Sequence, residues 1–538
     1  MERGQIVELK IEDMSAEGQG IGRAGEDGLV VFVKDAVPGD VVRAQLTKVK
    51  KNYAFGRLEE VLKRSEHRNE EFDCPYFTEG CGGCPMAKLD YEGQLKVKEQ
   101  QVRSKLQRLA GLEDPLIRPI IGMENEDNGG QGCFRYRDKA VFPVSTGGII
   151  TRKGGVVENL GDPSVGFYRA KSHEVVDCGD CYLQSMAAMA AADALRRFME
   201  EDNITAFDPK WEKGLVRHLI VKTAFGTGEV MVILVLNGKG IPGVQKLVEM
   251  LDEAIDEVGY SLESVVVNVN KASGKNVEKN KKKERSQIRV SGEVLGEEYI
   301  TVAGKPVIEE RIGHLKFEIS PASFFQVNPA QMERLYDQVR AYVMMGSTGA
   351  SEPEGGASAG EMMAPVVLDL YCGVGSIGLY CADLAEMVVG IESVKEAVAD
   401  ANRNAVINGI VNARYLCGKA EELLPAYTSG KPAEKPNREK ETASAVRIDP
   451  QLQEYIRRAD IAILDPPRAG CRPELLEAVA ASGAGHIIYV SCDPATLARD
   501  VQLLQELGYR FEEATPVDMF PHTGHVETVA LIQKRKCN

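Results

Sequence analysis

Two short polar segments near the C-terminus follow apolar runs that are typical of buried strands. Asp465-Pro466-Pro467-Arg468 comes after residues 462–464, and Ser491-Cys492-Asp493-Pro494 comes after residues 486–490. Open α/β sheets bind their ligands at the carboxyl ends of their strands. A cysteine at such an end, beside an acid and a proline turn, is a candidate nucleophile. The pattern therefore predicts covalent chemistry at Cys492.

A glycine-rich turn upstream is the second candidate site. Residues 371–378 follow an apolar strand and open a helix, and the next strand ends in Glu392. The turn matches the pattern G-x-G-x-x-G, with glycines at Gly373, Gly375 and Gly378. Such a turn lets a nucleotide-like ligand approach the backbone, and an acid after the second strand accepts hydrogen bonds from ribose hydroxyls. This fits a dinucleotide or S-adenosylmethionine; Asp369 and Asp465 favour the latter, and a turn without a ligand is the structural alternative.

The elements around these residues predict an α/β domain. From Val366 onward, strands and helices alternate, which indicates a Rossmann-like parallel sheet covered by helices on both faces. Two segments interrupt this pattern, near 346–360 and 429–445. The first is rich in Gly, Ser, Ala and Glu, and the second in Lys, Glu, Pro and Thr. These compositions bury too little apolar surface to order themselves, so we expect two disordered insertions.

The N-terminal residues predict a small β-barrel. Short strand-like runs between residues 4 and 62 alternate with glycine-rich turns. Oligonucleotide-binding (OB) barrels belong to this class. Cations and aromatic residues interleave along one stretch, which suits phosphate contact with base stacking or, equally, a solvated strand face: Lys48, Lys50, Lys51, Tyr53, Phe55 and Arg57. A second basic segment, Lys271 to Arg285, is typical of a solvated loop and could also contact RNA.

A cysteine cluster lies between the two ends of the chain. Cys74, Cys81 and Cys84 have the spacing C-x6-C-x2-C, and Cys178 or Cys181 supplies a fourth thiol. Four thiolates suit zinc and an iron–sulfur cluster equally well. Unliganded thiols in a glycine-rich loop are the alternative, but exposed thiols of that kind oxidise easily.

The overall composition limits the class of protein. A chain of 538 residues, at about 100–200 residues per domain, predicts about three domains. It has no run of about 18 apolar residues and no apolar leader, so we expect a cytoplasmic protein without a membrane span. Its 12 cysteines are then expected to be reduced. The net charge of −15 argues mildly against RNA, unless a local basic patch exists.

Together these motifs resemble the RNA uracil-C5 methyltransferase family, specifically its bacterial 23S rRNA members. The resemblance implies three domains: a TRAM-type, OB-like barrel over 1–62 that binds RNA, a central α+β iron–sulfur domain over 63–310, and a methyltransferase domain over 311–538. In this family a [4Fe-4S] cluster is held by cysteines that match Cys74, Cys81, Cys84 and Cys181. Cys181 is preferred to Cys178 because the family's fourth ligand follows a Ser-His segment, here Ser172-His173.

The resemblance also assigns the candidate active site. Residues 319–328 match the motif whose glutamine, here Gln326, contacts S-adenosylmethionine. Tyr371, Glu392 and Asp465 fall on the other cofactor positions. Residues 491–494 match the nucleophile motif with Cys492, and residues 525–529 match the segment that carries the general base, Glu527.

The expected activity is a methyl transfer from S-adenosylmethionine to C5 of a uridine in RNA. Addition of the Cys492 thiolate to C6 would make C5 nucleophilic, and Glu527 would later remove the C5 proton. The target base must leave its stack to reach these groups. The expected substrate is 23S rRNA, so the enzyme would be a 23S rRNA (uracil-C5)-methyltransferase, acting as a monomer.

Several alternatives remain beside this reading. The same chemistry on tRNA and a non-catalytic RNA-binding or assembly factor are the two main ones. A cytosine-C5 methyltransferase would carry a cysteine directly after the strand-end proline, where this chain has Pro467-Arg468. A radical methylthiotransferase would need a C-x3-C-x2-C motif, and an NAD-dependent oxidoreductase would leave Cys492 and Glu527 without a role.

Overall fold

The computed structural model describes residues 1–124, 132–146, 149–151, 157–159, 162–209, 212–271, 294–348, 364–429 and 449–535. The insertions predicted near 346–360 and 429–445 lie outside these ranges, except for residues 346–348 and 429, which end helices. The basic segment from Lys271 to Arg285 also lies outside them after its first residue. Among the described residues, no helix is long and apolar enough to cross a membrane.

The N-terminal residues form a closed five-stranded barrel, as predicted. Apolar side chains alternate along each strand, and the inward set, which includes Leu9, Val31 and Val42, is fully buried. The strand order around the barrel is β1-β2-β3-β5-β4. The strands are β1 (Ile6–Met14), β2 (Gln19–Ala24), β3 (Leu29–Lys34), β4 (Val41–Val49) and β5 (Tyr53–Lys63).

A short helix and a long one follow the barrel. Helix α1 (Pro75–Thr78) lies within the cysteine segment, and α2 (Tyr91–Ala110) follows it. The Asp90 side chain accepts a hydrogen bond from the Gly93 N–H at 2.7 Å and so caps the start of α2. Gly111, in the left-handed conformation with φ 69°, ends this helix.

The central domain is a mixed seven-stranded sheet with two helices packed on it. Its strand order is β10-β9-β6-β11-β12-β13-β14, and only β12 and β13 pair in parallel. A separate hairpin is formed by β7 (Ile149–Thr151) and β8 (Val157–Asn159). The other elements are β6 (Lys139–Thr146), β9 (Pro163–Tyr168), β10 (Val175–Asp177), α3 (Met186–Glu201), β11 (Val216–Thr223), β12 (Glu229–Leu236), α4 (Val244–Asp256), β13 (Ser261–Val269) and β14 (Glu298–Gly304).

A hairpin and a helix lead into the last domain. They are β15 (Ile308–Ile312), β16 (Leu315–Ile319) and α5 (Pro329–Thr348). The core they share with the catalytic sheet includes Phe317, Leu335 and Val339.

The last domain is a seven-stranded sheet with helices on both faces, which confirms the predicted α/β class. The strand order is β19-β18-β17-β20-β21-β23-β22. Strands β17 to β21 are parallel, and β23 is antiparallel to both of its neighbours, β21 and β22. Its elements are β17 (Val366–Leu370), α6 (Ser376–Tyr380), β18 (Met387–Glu392), α7 (Lys395–Ile407), β19 (Ala413–Cys417), α8 (Ala420–Ser429), α9 (Pro450–Arg457), β20 (Ile461–Leu464), α10 (Pro473–Ser482), β21 (His486–Ser491), α11 (Pro494–Glu506), β22 (Tyr509–Val517) and β23 (Glu527–Lys534).

Helix α2 covers part of this catalytic sheet, although it belongs to the region 63–310 in sequence. Its apolar side chains Val102 and Leu106 share a core with α11 and with β22. The segment after α2 then runs alongside β22, where Ile117 pairs with Ala514 and Ile121 pairs with Val517. The catalytic sheet is thus completed by residues that precede the central sheet.

Candidate active site

The catalytic sheet reverses its strand order between β17 and β20, and most of the predicted site residues lie at that edge. Tyr371 follows β17, Glu392 ends β18, Asp465 follows β20 and Cys492 follows β21. At such a switch point, the connections that leave the carboxyl ends of the two strands run in opposite directions. This leaves a crevice between them in which a ligand can bind. Glu527 reaches the same edge from the other direction, because it begins the antiparallel strand β23.

The glycine-rich turn is shaped for close approach of a ligand. Gly373 and Gly375 have φ values of 54° and 78°, which suit glycine. The Gly378 N–H donates to Asp369 Oδ2 at 3.0 Å, and the other oxygen of this buried carboxyl has no hydrogen-bond partner in the structure. Burial raises the pKa of Asp369 to about 7. In the sequence, Asp369 favoured S-adenosylmethionine as the ligand but was not among the predicted site residues. In the structure its carboxylate holds the turn through the hydrogen bond from Gly378.

Glu392 and Tyr371 border this turn. The Glu392 carboxylate accepts from the Gly373 N–H at 3.2 Å and from the Val394 N–H at 2.8 Å. Tyr371 has a left-handed backbone, φ 64°, and its hydroxyl donates to Glu421 at 2.8 Å. A bulky residue in this conformation is uncommon and needs support from its surroundings. The two side chains therefore have fixed positions around the glycines.

Gln326 lies on the connection between β16 and α5, which buried polar contacts hold from both sides. The Ser323 hydroxyl donates to Asp400 on α7 at 2.6 Å. From the central domain, the Lys222 ammonium donates to the carbonyls of Ser320 and Ser323 at 2.8 and 2.9 Å. Burial lowers the pKa of Lys222 to about 7. Gln326 itself is half-buried. Sequence reasoning missed Asp400 and Lys222 because they are far from the motif along the chain.

Cys492 lies between the end of β21 and the start of α11. Asp493 caps α11 by accepting from the Ala495 N–H at 2.7 Å, and the Ser491 hydroxyl donates to the Asp493 carbonyl at 2.9 Å. This turn leaves the cysteine half-buried, next to a helix N-terminus that favours a negative charge. Burial, followed by the nearby carboxyls of Glu527 and Asp465, raises the pKa of Cys492 to about 11.

Glu527 lies across the ladder from Cys492. Ser491 pairs with Thr528 in the β21–β23 register, so Cys492 and Glu527 occupy the next position along it. The Glu527 side chain is buried, and burial followed by the charge of Asp465 raises its pKa to about 8. Burial also raises the pKa of Asp465 to about 7. The charge of the exposed Arg468 has the opposite effect, because it lowers the pKa of both Cys492 and Glu527.

The barrel presents the predicted mixture of aromatic and basic residues. The ring of Phe55 lies 5.6 Å from the ring of Phe32 and 5.6 Å from that of Tyr53, between centroids. Tyr53 is 39% exposed, and Lys50 and Lys51 are exposed in the preceding turn. Such a surface suits stacking on bases beside phosphate contacts.

The predicted ligand cysteines surround one cavity of about 380 Å³ in the central domain. Its lining includes Cys74, Cys81, Cys84, Cys178, Cys181, Arg137 and Lys139. A hydrogen bond from the Cys178 thiol lowers the pKa of Cys181, whereas burial raises the pKa of Cys74 and of Cys81. Among the described residues, no group of three or more His, Cys, Asp or Glu side chains is arranged to hold a metal ion.

Two family models match the chain. The TRAM domain model matches residues 1–58, and the tRNA (uracil-5-)-methyltransferase model matches residues 358–535. An uncharacterized RNA methyltransferase of Caldanaerobacter subterraneus is 38% identical over 532 residues, which cover 99% of this chain and 98% of the relative. The chain belongs to the RNA uracil-C5 methyltransferase family. An uncharacterized RNA methyltransferase of Clostridium acetobutylicum is 36% identical, again over 99% of this chain and 98% of the relative.

The fold also resembles a solved member of this family. The tRNA (uracil-54, C5)-methyltransferase of Pyrococcus abyssi, solved in complex with S-adenosyl-L-homocysteine, superposes with a TM-score of 0.64 and 24% identity. The match covers 98% of the chain described here and 100% of the Pyrococcus abyssi chain. It confirms the predicted fold class, an α/β methyltransferase fold with an N-terminal barrel.

Proposed function

We propose that this protein transfers the methyl group of S-adenosylmethionine to C5 of a uridine in RNA, through a covalent bond between Cys492 and C6. The observation that carries the proposal is the closeness of Cys492 and Glu527, which lie one residue beyond the last β21–β23 pair, Ser491 with Thr528, at the edge that also holds the glycine-rich turn. A nucleophile and a base thus share one crevice with a nucleotide-like site.

The crevice fits S-adenosylmethionine as the methyl donor. The open backbone at Gly373, the free oxygen of Asp369 and the carboxylate of Glu392 make a polar cradle at a helix N-terminus. Gln326, Tyr371, Glu392 and Asp465 are the residues that would bind the donor. The name of the matching family model and the ligand of the archaeal relative support this assignment.

The covalent route solves a problem of reactivity. C5 of uracil is a poor nucleophile, but a bond from the Cys492 sulfur to C6 moves the electron pair of the C5–C6 double bond towards C5 and the C4 carbonyl. C5 then takes the methyl group, and S-adenosylhomocysteine leaves. Removal of the C5 proton restores the C5–C6 double bond and expels the thiolate.

Glu527 is the base for this last step. Its raised pKa, about 8, makes it a stronger proton acceptor than an ordinary carboxylate. Arg468, whose charge acts on both Cys492 and Glu527, would stabilise the negative charge that develops on the uracil C4 oxygen.

We propose 23S rRNA as the substrate and tRNA as the alternative. The aromatic and basic surface of the barrel suits unpaired RNA loops, which both RNAs contain. The resemblance to bacterial 23S rRNA enzymes favours the first, whereas the printed names of the matching model and of the archaeal relative concern tRNA. A cytoplasmic location and a monomeric state remain predictions.

The substrate proposal is tested by mapping 5-methyluridine in cells with and without the gene. We expect one or two 5-methyluridines of 23S rRNA to disappear in the deletion and to return with the intact gene, but not with a Cys492→Ala copy. Loss of 5-methyluridine from tRNA alone would contradict the choice of rRNA. An unchanged pattern in both RNAs would contradict the proposed activity.

We also propose that Cys74, Cys81, Cys84 and Cys181 hold a [4Fe-4S] cluster. Their thiols line one cavity with two basic residues, Arg137 and Lys139, and the buried Arg137 Nε has no hydrogen-bond partner in the structure. Positive side chains suit the net negative charge of a cluster with four thiolate ligands. When bound, the cluster would tie the cysteine segment to the central sheet.

The cluster is tested on protein purified without oxygen. We expect brown protein with about four irons and four sulfides per chain, because four thiolates hold a [4Fe-4S] centre. A Cys81→Ser variant should lose most of this iron. Colourless protein that holds one zinc ion per chain would contradict the proposal.

A further inference from the structure

The loop that leads into Glu527 has an unusual set of contacts. Residues 518–526, which we name the strap, join β22 to β23. The last pair of this antiparallel ladder is Val517 with Glu527, so the strap begins and ends directly beside the proposed base. Its conformation therefore determines where the Glu527 backbone lies.

The start of the strap is fixed by a buried ion pair with helix α2. The Lys98 ammonium donates to Asp518 Oδ1 at 2.5 Å and to the Phe520 carbonyl at 2.9 Å. Both charged side chains are fully buried. A single buried charge without its partner is strongly unfavourable, so the pair holds the two segments together.

The middle of the strap is held by three separate segments. His522 has a left-handed backbone, φ 65°, and its N–H donates to the side-chain oxygen of Gln94 on α2 at 2.8 Å. Its carbonyl accepts from the Met86 N–H at 3.1 Å, two residues after Cys84. Its ring stacks on Phe134 with 4.9 Å between centroids. A non-glycine residue persists in this conformation only where its surroundings enforce it.

The end of the strap lies against the barrel. A Cβ atom on Gly524 would come within 2.2 Å of the Ala16 carbonyl oxygen, in the loop between β1 and β2. The strap therefore touches the barrel, the cysteine segment, α2 and the residues that precede the central sheet, although it belongs to the catalytic domain.

We propose that the strap is a positioning device, with Lys98 as its main positioning residue, which places Glu527 for proton removal only when the N-terminal segments are docked. The inference rests on the proposed function of Glu527. It adds that residues outside the methyltransferase domain control one step of the reaction, the release of the methylated base, rather than the binding of the methyl donor.

The test replaces the ion pair by apolar residues of similar size, K98M with D518L, because a buried pair replaced on both sides often leaves the fold stable. A matched control, R118M with E513Q, removes a different ion pair between the residues after α2 and β22. Each protein is compared with wild type for melting temperature, S-adenosylmethionine binding, single-turnover methyl transfer and the fraction trapped as a denaturant-stable RNA adduct.

For K98M with D518L we expect turnover to fall about tenfold to hundredfold, as is usual when a catalytic group is displaced slightly. Methyl transfer within the adduct and cofactor binding should stay near wild type, so the methylated adduct accumulates. The control should behave like wild type. Wild-type turnover, or a loss that affects every step without adduct, would overturn the proposal, because the pair would then have no role or only a structural one.

Glu527→Gln is measured in parallel to separate two failures. If this variant accumulates the adduct and the double variant does not, the strap proposal is wrong and the function of Glu527 stands. If neither accumulates it, Glu527 is not the base and the strap proposal falls with it.

Discussion

Cys492 and the cysteines of the cavity differ in the charged residues that lie beside them. Cys492 lies alone among carboxyls at the sheet edge, where burial and those charges raise its pKa to about 11. In the cysteine cavity, Arg137 and Lys139 line the space around the thiols. A hydrogen bond from the Cys178 thiol lowers the pKa of Cys181, whereas burial raises the pKa of the other three predicted ligands, Cys74, Cys81 and Cys84. The isolated thiol lies beside carboxyls that can accept a proton, whereas the cavity places its thiols beside two basic side chains, which suit a negatively charged cluster. One residue type thus serves two chemistries.

Removal of the isolated thiol should have the largest effect. We expect Cys492→Ala to lower turnover on the order of 10⁶-fold, as for other covalent nucleophiles, and to leave the iron content unchanged. Methyl transfer from labelled cofactor is the measurement. Cys381→Ala, which removes a buried thiol beyond α6, is the control. Appreciable turnover without Cys492 would break the distinction between the two groups.

Removal of the base should have the next largest effect. Glu527→Gln keeps the shape of the side chain but cannot accept the C5 proton, so turnover should fall about 10²- to 10⁴-fold. Steady-state assays on a uridine-containing rRNA fragment measure it. Glu512→Gln, which changes a half-buried carboxyl of β22 that forms an ion pair with Arg510, should retain wild-type turnover. An equal loss in both variants would point to damage of the sheet rather than to the loss of a base.

The pH dependence of turnover should follow the ionisation of the Glu527 carboxyl group. The base must be ionised, and its pKa is raised to about 8, so activity is present above that pH and is lost as the pH falls through it. Below pH 8 we expect kcat, which includes the release step, to fall about tenfold per pH unit. A profile that is flat between pH 6 and pH 8 would contradict the raised pKa.

Loss of a cysteine from the cavity should affect the proposed cluster but not the covalent chemistry of Cys492. Cys81→Ser should lose iron and lower the melting temperature, because a ligand of the proposed cluster is gone. Any protein that stays folded should still form the Cys492 adduct. If Cys81→Ser retains its full iron content, the ligand set is wrong.

The barrel should contribute the smallest effect. Lys50→Ala with Lys51→Ala removes two exposed charges, so we expect KM for RNA to rise a few-fold and the slope of log affinity against log salt to fall by about two. The value of kcat should not change. Binding titrations at several salt concentrations measure this, and an unchanged slope would exclude the two lysines from RNA contact.

The sequence predicted the parts of the site that are local in the chain. Cys492, Asp465 and Glu392 each follow an apolar strand, so their position at the carboxyl edge could be inferred from short patterns. Glu527 was found only through the family resemblance, because nothing in its immediate neighbours marks a base. The contacts of Lys98 with Asp518 join residues 420 positions apart, and no periodicity in a single sequence encodes such a pairing. The choice of Cys181 over Cys178 likewise came from the resemblance.

The central claim is that Cys492 bonds to the target uracil and that Glu527 releases it. The most direct measurement is mass spectrometry of the denaturant-stable complex formed by Glu527→Gln protein, S-adenosylmethionine and an rRNA fragment. The account predicts a methylated uridine linked to the peptide that carries Cys492. Methylated RNA with no covalent protein, or a link to any other cysteine, would contradict it.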